Sequence, residues 1–216
     1  MLSVHDIRAD GAVARGRTHH FDVLDELGNC YAVLGELERA EECYTAAALL
    51  EPNRAAPFIG LGVVALQLDR LGEAEVAFET AARREPDSAE AYGGLAMVRQ
   101  QRGDYASAFD MHLKCLQLDT DNLVALLGLF QASCQMGTFA KVIHYLEVYL
   151  QRHPGDAAVL FCLATLYARE GQLEDARQCL LSVLALEPEK PEAVQLLQEV
   201  QRQHDRTRPR NTVNAP

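Results

Sequence analysis

Two adjacent histidines, His19 and His20, stand beside Asp22 and Asp25, the one place in this chain where metal chemistry could begin. Neighbouring imidazoles bind transition metals, but a closed site needs three or four ligands at set spacings, and none is spaced to complete one here. A solvated helix start fits better, with Asp22 and Asp25 favouring the positive end of the helix dipole. The other histidines do not gather: His112 and His144 fall on helical stretches as packing or surface residues, and His153 precedes Pro154 in a loop. The six cysteines (30, 43, 115, 134, 162 and 179) form no CxxC pair. Cys30, Cys43, Cys115 and Cys179 sit where small apolar residues would serve, so they read as reduced packing residues of a cytoplasmic chain. Gly60-Leu61-Gly62 and Gly93-Gly94 follow no strand and are not nucleotide loops. No nucleophile elbow, phosphate loop or catalytic carboxylate pair is present. The expectation is a non-enzyme with no cofactor, no catalytic residue and no metal. A metal-dependent activity at His19 and His20 is the rival, and it predicts stoichiometric metal in the purified protein.

Charge narrows the partners. The formal net charge is −11, and residues 21–204 hold 14 basic and 28 acidic residues. Such a field repels nucleic acid and anionic membrane and favours basic partners. The first residues carry charges where an export signal needs an apolar run, and no stretch approaches the roughly 20 apolar residues of a membrane span. Aromatics are 6% of the chain and Trp is absent, which suits close packing of helices through small residues rather than a sheet.

The elements that position these residues follow a 34-residue grid. Leu27-Gly28, Tyr31, Ala40, Tyr44, Ala47 and Pro52 return as Leu61-Gly62, Ala74, Phe78, Ala81 and Pro86. Pro154 and Pro188 fall on the same grid, and Thr120 occupies the one slot without a proline. A period of this length marks a helix-turn-helix solenoid. Each proline ends a helix, since it cannot continue one and turns the preceding residue away from helical angles. Five repeats are expected, at 21–54, 55–88, 89–122, 123–156 and 157–190, each with a helix A, a turn and a helix B. Residues 1–20, with Gly11 and Gly16 and no sustained period, read as a flexible arm. Residues 191–204 read as a capping helix with one wet face, and 205–216 as a disordered tail.

On these residues the chain resembles the tetratricopeptide repeat (TPR) family. Repeat one carries the signature as Leu24, Leu27, Gly28, Tyr31, Ala40, Tyr44, Ala47 and Pro52. The resemblance implies an all-α, right-handed α-solenoid of five tandem TPR helix-turn-helix repeats with a C-terminal capping helix. Departures cluster in the middle. His112, Cys115 and Thr120 replace the usual Phe, Ala and Pro, while Phe130, Val142 and Tyr149 are large where small residues are usual.

The family's geometry also implies a concave groove lined by the A helices. On that geometry the candidate peptide-binding residues are Asp25, Asn29, Ile59, Gly60, Val63, Gly94, Met97, Leu127, Gly128, Gln131, Phe161 and Thr165. The entrance would be acidic and the centre apolar. Gly60, Gly94 and Gly128 share one repeat position. They form either a track where a ligand approaches closely or a relief of crowding between adjacent A helices. The family's clamp for acidic chaperone tails is not expected: its positions fall on Asp25, Asn29, Gly60, Glu90 and Gly94, and only Asn29 matches. The expected function is a protein-protein interaction scaffold or adaptor that holds a peptide segment or helix in the groove. The ligand would have apolar anchors, with basic flanks as an option. The alternatives are a cytosolic secretion-type chaperone for an exported hydrophobic protein, self-association, and a groove covered by the chain's own termini.

Overall fold

The computed structural model describes residues 4–207, with side chains from Thr18 to Arg206. Among the described residues there are eleven α-helices and no strand. In chain order they are α1 (Val4–Leu34), α2 (Leu37–Leu50), α3 (Ala56–Gln67), α4 (Leu71–Arg84), α5 (Ala89–Gln101) and α6 (Tyr105–Leu118). There follow α7 (Leu123–Met136), α8 (Ala140–Arg152), α9 (Ala157–Arg169), α10 (Leu173–Leu186) and α11 (Pro191–Thr207). The fold class is all-α and of the α-solenoid kind.

The ends of the helices follow from local chemistry. At the A-to-B turns Gly35, Gly103, Gly137 and Gly171 have φ between 71° and 77°, a conformation in which any Cβ is strained. The second repeat has Asp69 at the same place with φ 57°; aspartate is among the few residues that tolerate this region. At the B-helix ends Glu51, Glu85 and Glu187 leave the helix for more extended angles just before Pro52, Pro86 and Pro188. Side-chain oxygens of Ser88, Asp104, Asn122 and Asp156 then accept main-chain N–H bonds at the starts of α5, α6, α7 and α9.

Residues 4–20 of the expected arm belong to α1, a continuous helix of 31 residues. Alanine and arginine favour helix, and once the turn from Phe21 onward is nucleated each further residue adds a hydrogen bond; Gly11 and Gly16 each cost about 1 kcal/mol without ending it. Residues 1–3 of the expected arm lie outside the described residues. At the other end α11 runs to Thr207, three residues past the expected cap, and the expected tail beyond Thr207 lies outside the described residues.

The chain divides into two compact units, Met1–Gly128 and Leu129–Pro216. The border falls inside the stretch that departs from the repeat pattern. In the first unit α1 pairs with α2, α3 with α4 and α5 with α6, while α2 packs on α3, α4 on α5, and the A helices α1, α3 and α5 meet in sequence. In the second, α9 packs on α8, α10 and α11, and α10 on α11. The grid decides what is buried. Ala40, Ala74, Ala108, Val142 and Ala176 occupy one repeat position and are all fully buried. Four residues later Tyr44, Phe78, His112, Leu146 and Leu180 are buried as well. A helix that presents a small and a large residue one turn apart can seat a neighbouring helix between them.

Candidate functional site

In the first unit helices α1 and α3 border a groove of about 740 Å³. Helix α1 supplies Asp25, Asn29, Ala32 and Val33, and α3 supplies Ala56, Ile59, Gly60, Val63 and Gln67. Tyr44 reaches in from α2, and Glu85, Asp87, Ser88 and Glu90 come from the α4–α5 connection and the first turn of α5. Five of the expected residues therefore meet in one concavity: Asp25, Asn29, Ile59, Gly60 and Val63. The floor is apolar, through Ala32, Ile59 and Val63, and the rim holds four carboxylates. Among the described residues no Lys, Arg or His lines it.

The polar groups here are held in place to different degrees. Tyr44 Oη donates to Asn29 Oδ1 at 2.7 Å, which leaves the Asn29 amide N–H groups for another acceptor. Burial and the nearby Asp25 charge push the Tyr44 phenol up to about 12, so it stays a donor. Glu85 Oε1 accepts from the Ala55 N–H at 3.0 Å and closes the start of α3. Ser88 Oγ accepts from the Ala91 N–H and donates to Glu90 Oε2. Asp25 differs, because its Oδ1 is buried with no hydrogen-bond partner. Burial raises the Asp25 pKa above the usual carboxylate value, Arg54 opposes this, and Asp22 and Glu26 add to it.

The glycines answer to packing. A Cβ on Gly60 would lie 2.5 Å from the Tyr44 ring, one on Gly94 would lie 2.2 Å from Phe78, and one on Gly128 would lie 2.2 Å from His112. Each ring comes from the B helix of the preceding repeat. Gly28 and Gly62 meet the same Tyr44 and Phe78 from within their own repeats, at 2.7 Å. The shared glycine position is thus a slot for a ring, and relief of crowding is the reading the structure supports over a ligand track. Only Gly60 also lines the groove.

The other expected residues lie elsewhere. Met97 is half-buried on α5, and neither it nor Gly94 is among the groove-lining residues. Leu127 is half-buried on α7, near the buried Gly128. In the second unit Gln131 is exposed on α7. Phe161 on α9 packs against the cluster of Leu160, Ala164 and Leu180, and the Lys190 ammonium stands 5.7 Å from its ring centre. The Thr165 hydroxyl donates to its own helix, at the Phe161 carbonyl. The expectation missed Tyr44, Glu85, Asp87 and Ser88, since it projected only A-helix positions. The acidic connection before Ala89 lies outside the A helices.

Among the described residues no group of three or more His, Cys, Asp or Glu could hold a metal ion. No helix among them is long and apolar enough to cross a membrane. His112 is 1% exposed, with Nε2 3.3 Å from Gln100 Oε1 and Nδ1 without a partner. Burial lowers its pKa to about 4, so at neutral pH it packs as an uncharged ring.

Among solved structures, the chain is similar to PilF of Pseudomonas aeruginosa, with TM-score 0.73 and 22% identity over 88% of each chain. It is also similar to YrrB, described as a TPR protein with an unusual peptide-binding site, with TM-score 0.64 and 20% identity over 83% of this chain and 90% of that one. The first TPR domain of Spaghetti (RPAP3), bound to an HSP90 peptide, matches with TM-score 0.52 and 22% identity over 55% of this chain and 94% of that one. At these identities the likenesses show the fold alone. No curated protein matches the sequence. Three tetratricopeptide repeat family models match residues 21–54, 59–114 and 134–200. The chain belongs to the tetratricopeptide repeat family.

Proposed function

We propose that this protein is a non-enzymatic interaction scaffold or adaptor that holds a segment of another protein in the groove of its first unit. The observation that carries this reading is the groove itself. It is a concavity of about 740 Å³ with Ile59 and Val63 half-buried in it and four carboxylates along its lining. Apolar anchors with a few placed polar contacts are what peptide-binding grooves offer. YrrB and the Spaghetti domain are described as binding peptides, which supports the general reading. The acidic rim favours a segment of opposite charge over an acidic chaperone tail.

The test is affinity capture with the full chain beside its Val63→Glu variant, with helicity checked by circular dichroism. Proteins held by the unsubstituted chain and lost from the helical variant support the groove. If both forms hold the same proteins, the binding surface lies elsewhere.

A further inference from the structure

We propose that Asp25 and Asn29 form a two-point recognition site for a basic residue of the bound segment. Asp25 takes the cationic side chain of a lysine or arginine, and the Asn29 amide N–H donates to a main-chain carbonyl beside it. This rests on the groove reading above and gives its occupant a charge and a register.

The two residues are four apart on α1, so their side chains are neighbours on one face, and both line the groove. Asn29 has its carbonyl oxygen engaged by Tyr44 Oη, which turns its N–H groups to a ligand acceptor. A segment passing over Ile59 and Val63 presents such carbonyls. Asp25 is the rim carboxylate that is half-buried; Glu85, Asp87 and Glu90 are exposed. Glu85 is bonded to the Ala55 N–H and Glu90 to Ser88, whereas Asp25 Oδ1 is buried without a donor. Among the described residues Arg54 is the cation that bears on Asp25, and its guanidinium lies over the Phe21 ring, 4.8 Å from the ring centre. A partly desolvated carboxylate with carboxylate neighbours and no cation in its groove is stabilised by an arriving ammonium or guanidinium. Asp87 and Glu90 on the rim add to the attraction at longer range. An acidic segment would add like charge to all four carboxylates, so charge complementarity commits the groove to a basic, apolar-anchored partner.

The test uses the full chain, isotopically labelled, and three capped pentapeptides: Ac-Leu-Ala-Arg-Ala-Leu-NH2 and its Gln and Glu counterparts at the central position. Amide shifts of Ile59, Gly60 and Val63 report binding in the groove. The Arg peptide is expected to bind at least ten-fold more tightly than the Glu peptide and about three-fold more tightly than the Gln peptide, with the preference shrinking at high salt. In Asp25→Asn most of the preference for Arg over Gln should be lost, the remainder coming from Asp87 and Glu90 at longer range, while the Gln peptide keeps its affinity within two-fold. Equal binding of all three peptides to the unsubstituted chain overturns this proposal and leaves the groove reading standing. An Arg preference undiminished in Asp25→Asn overturns the assignment to Asp25. No shift at Ile59, Gly60 or Val63 with any peptide overturns both readings.

Discussion

The two units solve one packing problem with different residues. In the first, a ring at the B-helix position (Tyr44, Phe78 or His112) enters a slot made by glycines: Gly28 and Gly60 for Tyr44, Gly62 and Gly94 for Phe78, and Gly128 for His112. In the second, the same position holds Leu146 and Leu180, both fully buried, and the glycine position holds Cys162, which is also buried. A planar ring is wide and thin, so it needs an absent Cβ where a helix crosses it. A leucine is compact and tolerates one. Volume is conserved between neighbours rather than at each site, which is how cores accept exchange. The difference also reaches function. Tyr44 carries a hydroxyl into the groove and fixes Asn29, an arrangement that a leucine at this position cannot make.

The comparison can be broken first by removing the large residue. Phe78→Ala should cost about 4 kcal/mol and Leu180→Ala about 3 kcal/mol, measured by urea denaturation, because the lost ring leaves a void that glycines cannot fill. A smaller loss for Phe78→Ala would sink the idea that the ring slot organises the first unit. The next effect is acid sensitivity. The unfolded histidine has its ordinary pKa of 6.5, whereas buried His112 has a pKa of about 4. Stability is therefore untouched above 6.5, falls as the pH drops through this window, and stops falling below about 4. The loss is on the order of 3 kcal/mol if the ring stays dry. His112→Phe should flatten this part of the pH profile, and an unchanged profile would show that other groups govern acid unfolding.

Smaller effects sharpen the picture. Gly94→Ala should cost about 1–2 kcal/mol, since the new Cβ meets Phe78 and outweighs the gain in helix propensity. The matching Cys162→Ala in the second unit should stay within about 1 kcal/mol, because that position already accommodates a Cβ and Sγ. Equal melting-temperature shifts for the two would erase the proposed distinction. The smallest effect is at the turn of the second repeat. Asp69→Gly should stabilise the first unit by about 0.5 kcal/mol, because glycine adopts φ 57° without strain; a lower melting temperature would show that the aspartate does more than make the turn.

The amino-acid sequence by itself determined the hairpins, the buried alanines and the points where helices end. The 34-residue grid places Ala40, Ala74, Ala108 and Ala176 on one helical stripe, and proline and glycine act on the backbone wherever they stand. These effects are local or periodic, and a sequence displays both. It also displayed five groove residues, because Asp25, Asn29, Ile59, Gly60 and Val63 lie on A helices at spacings that a repeat makes regular. It did not display the helix over residues 4–20, whose formation is a sum of small propensities that includes two glycines. Only the tertiary structure decided that Gly60, Gly94 and Gly128 face rings from preceding repeats, that Tyr44 orients Asn29, and that Asp25 keeps a buried oxygen without a donor. Those relations join residues more than a dozen positions apart across helix faces, and only close packing brings such atoms into contact.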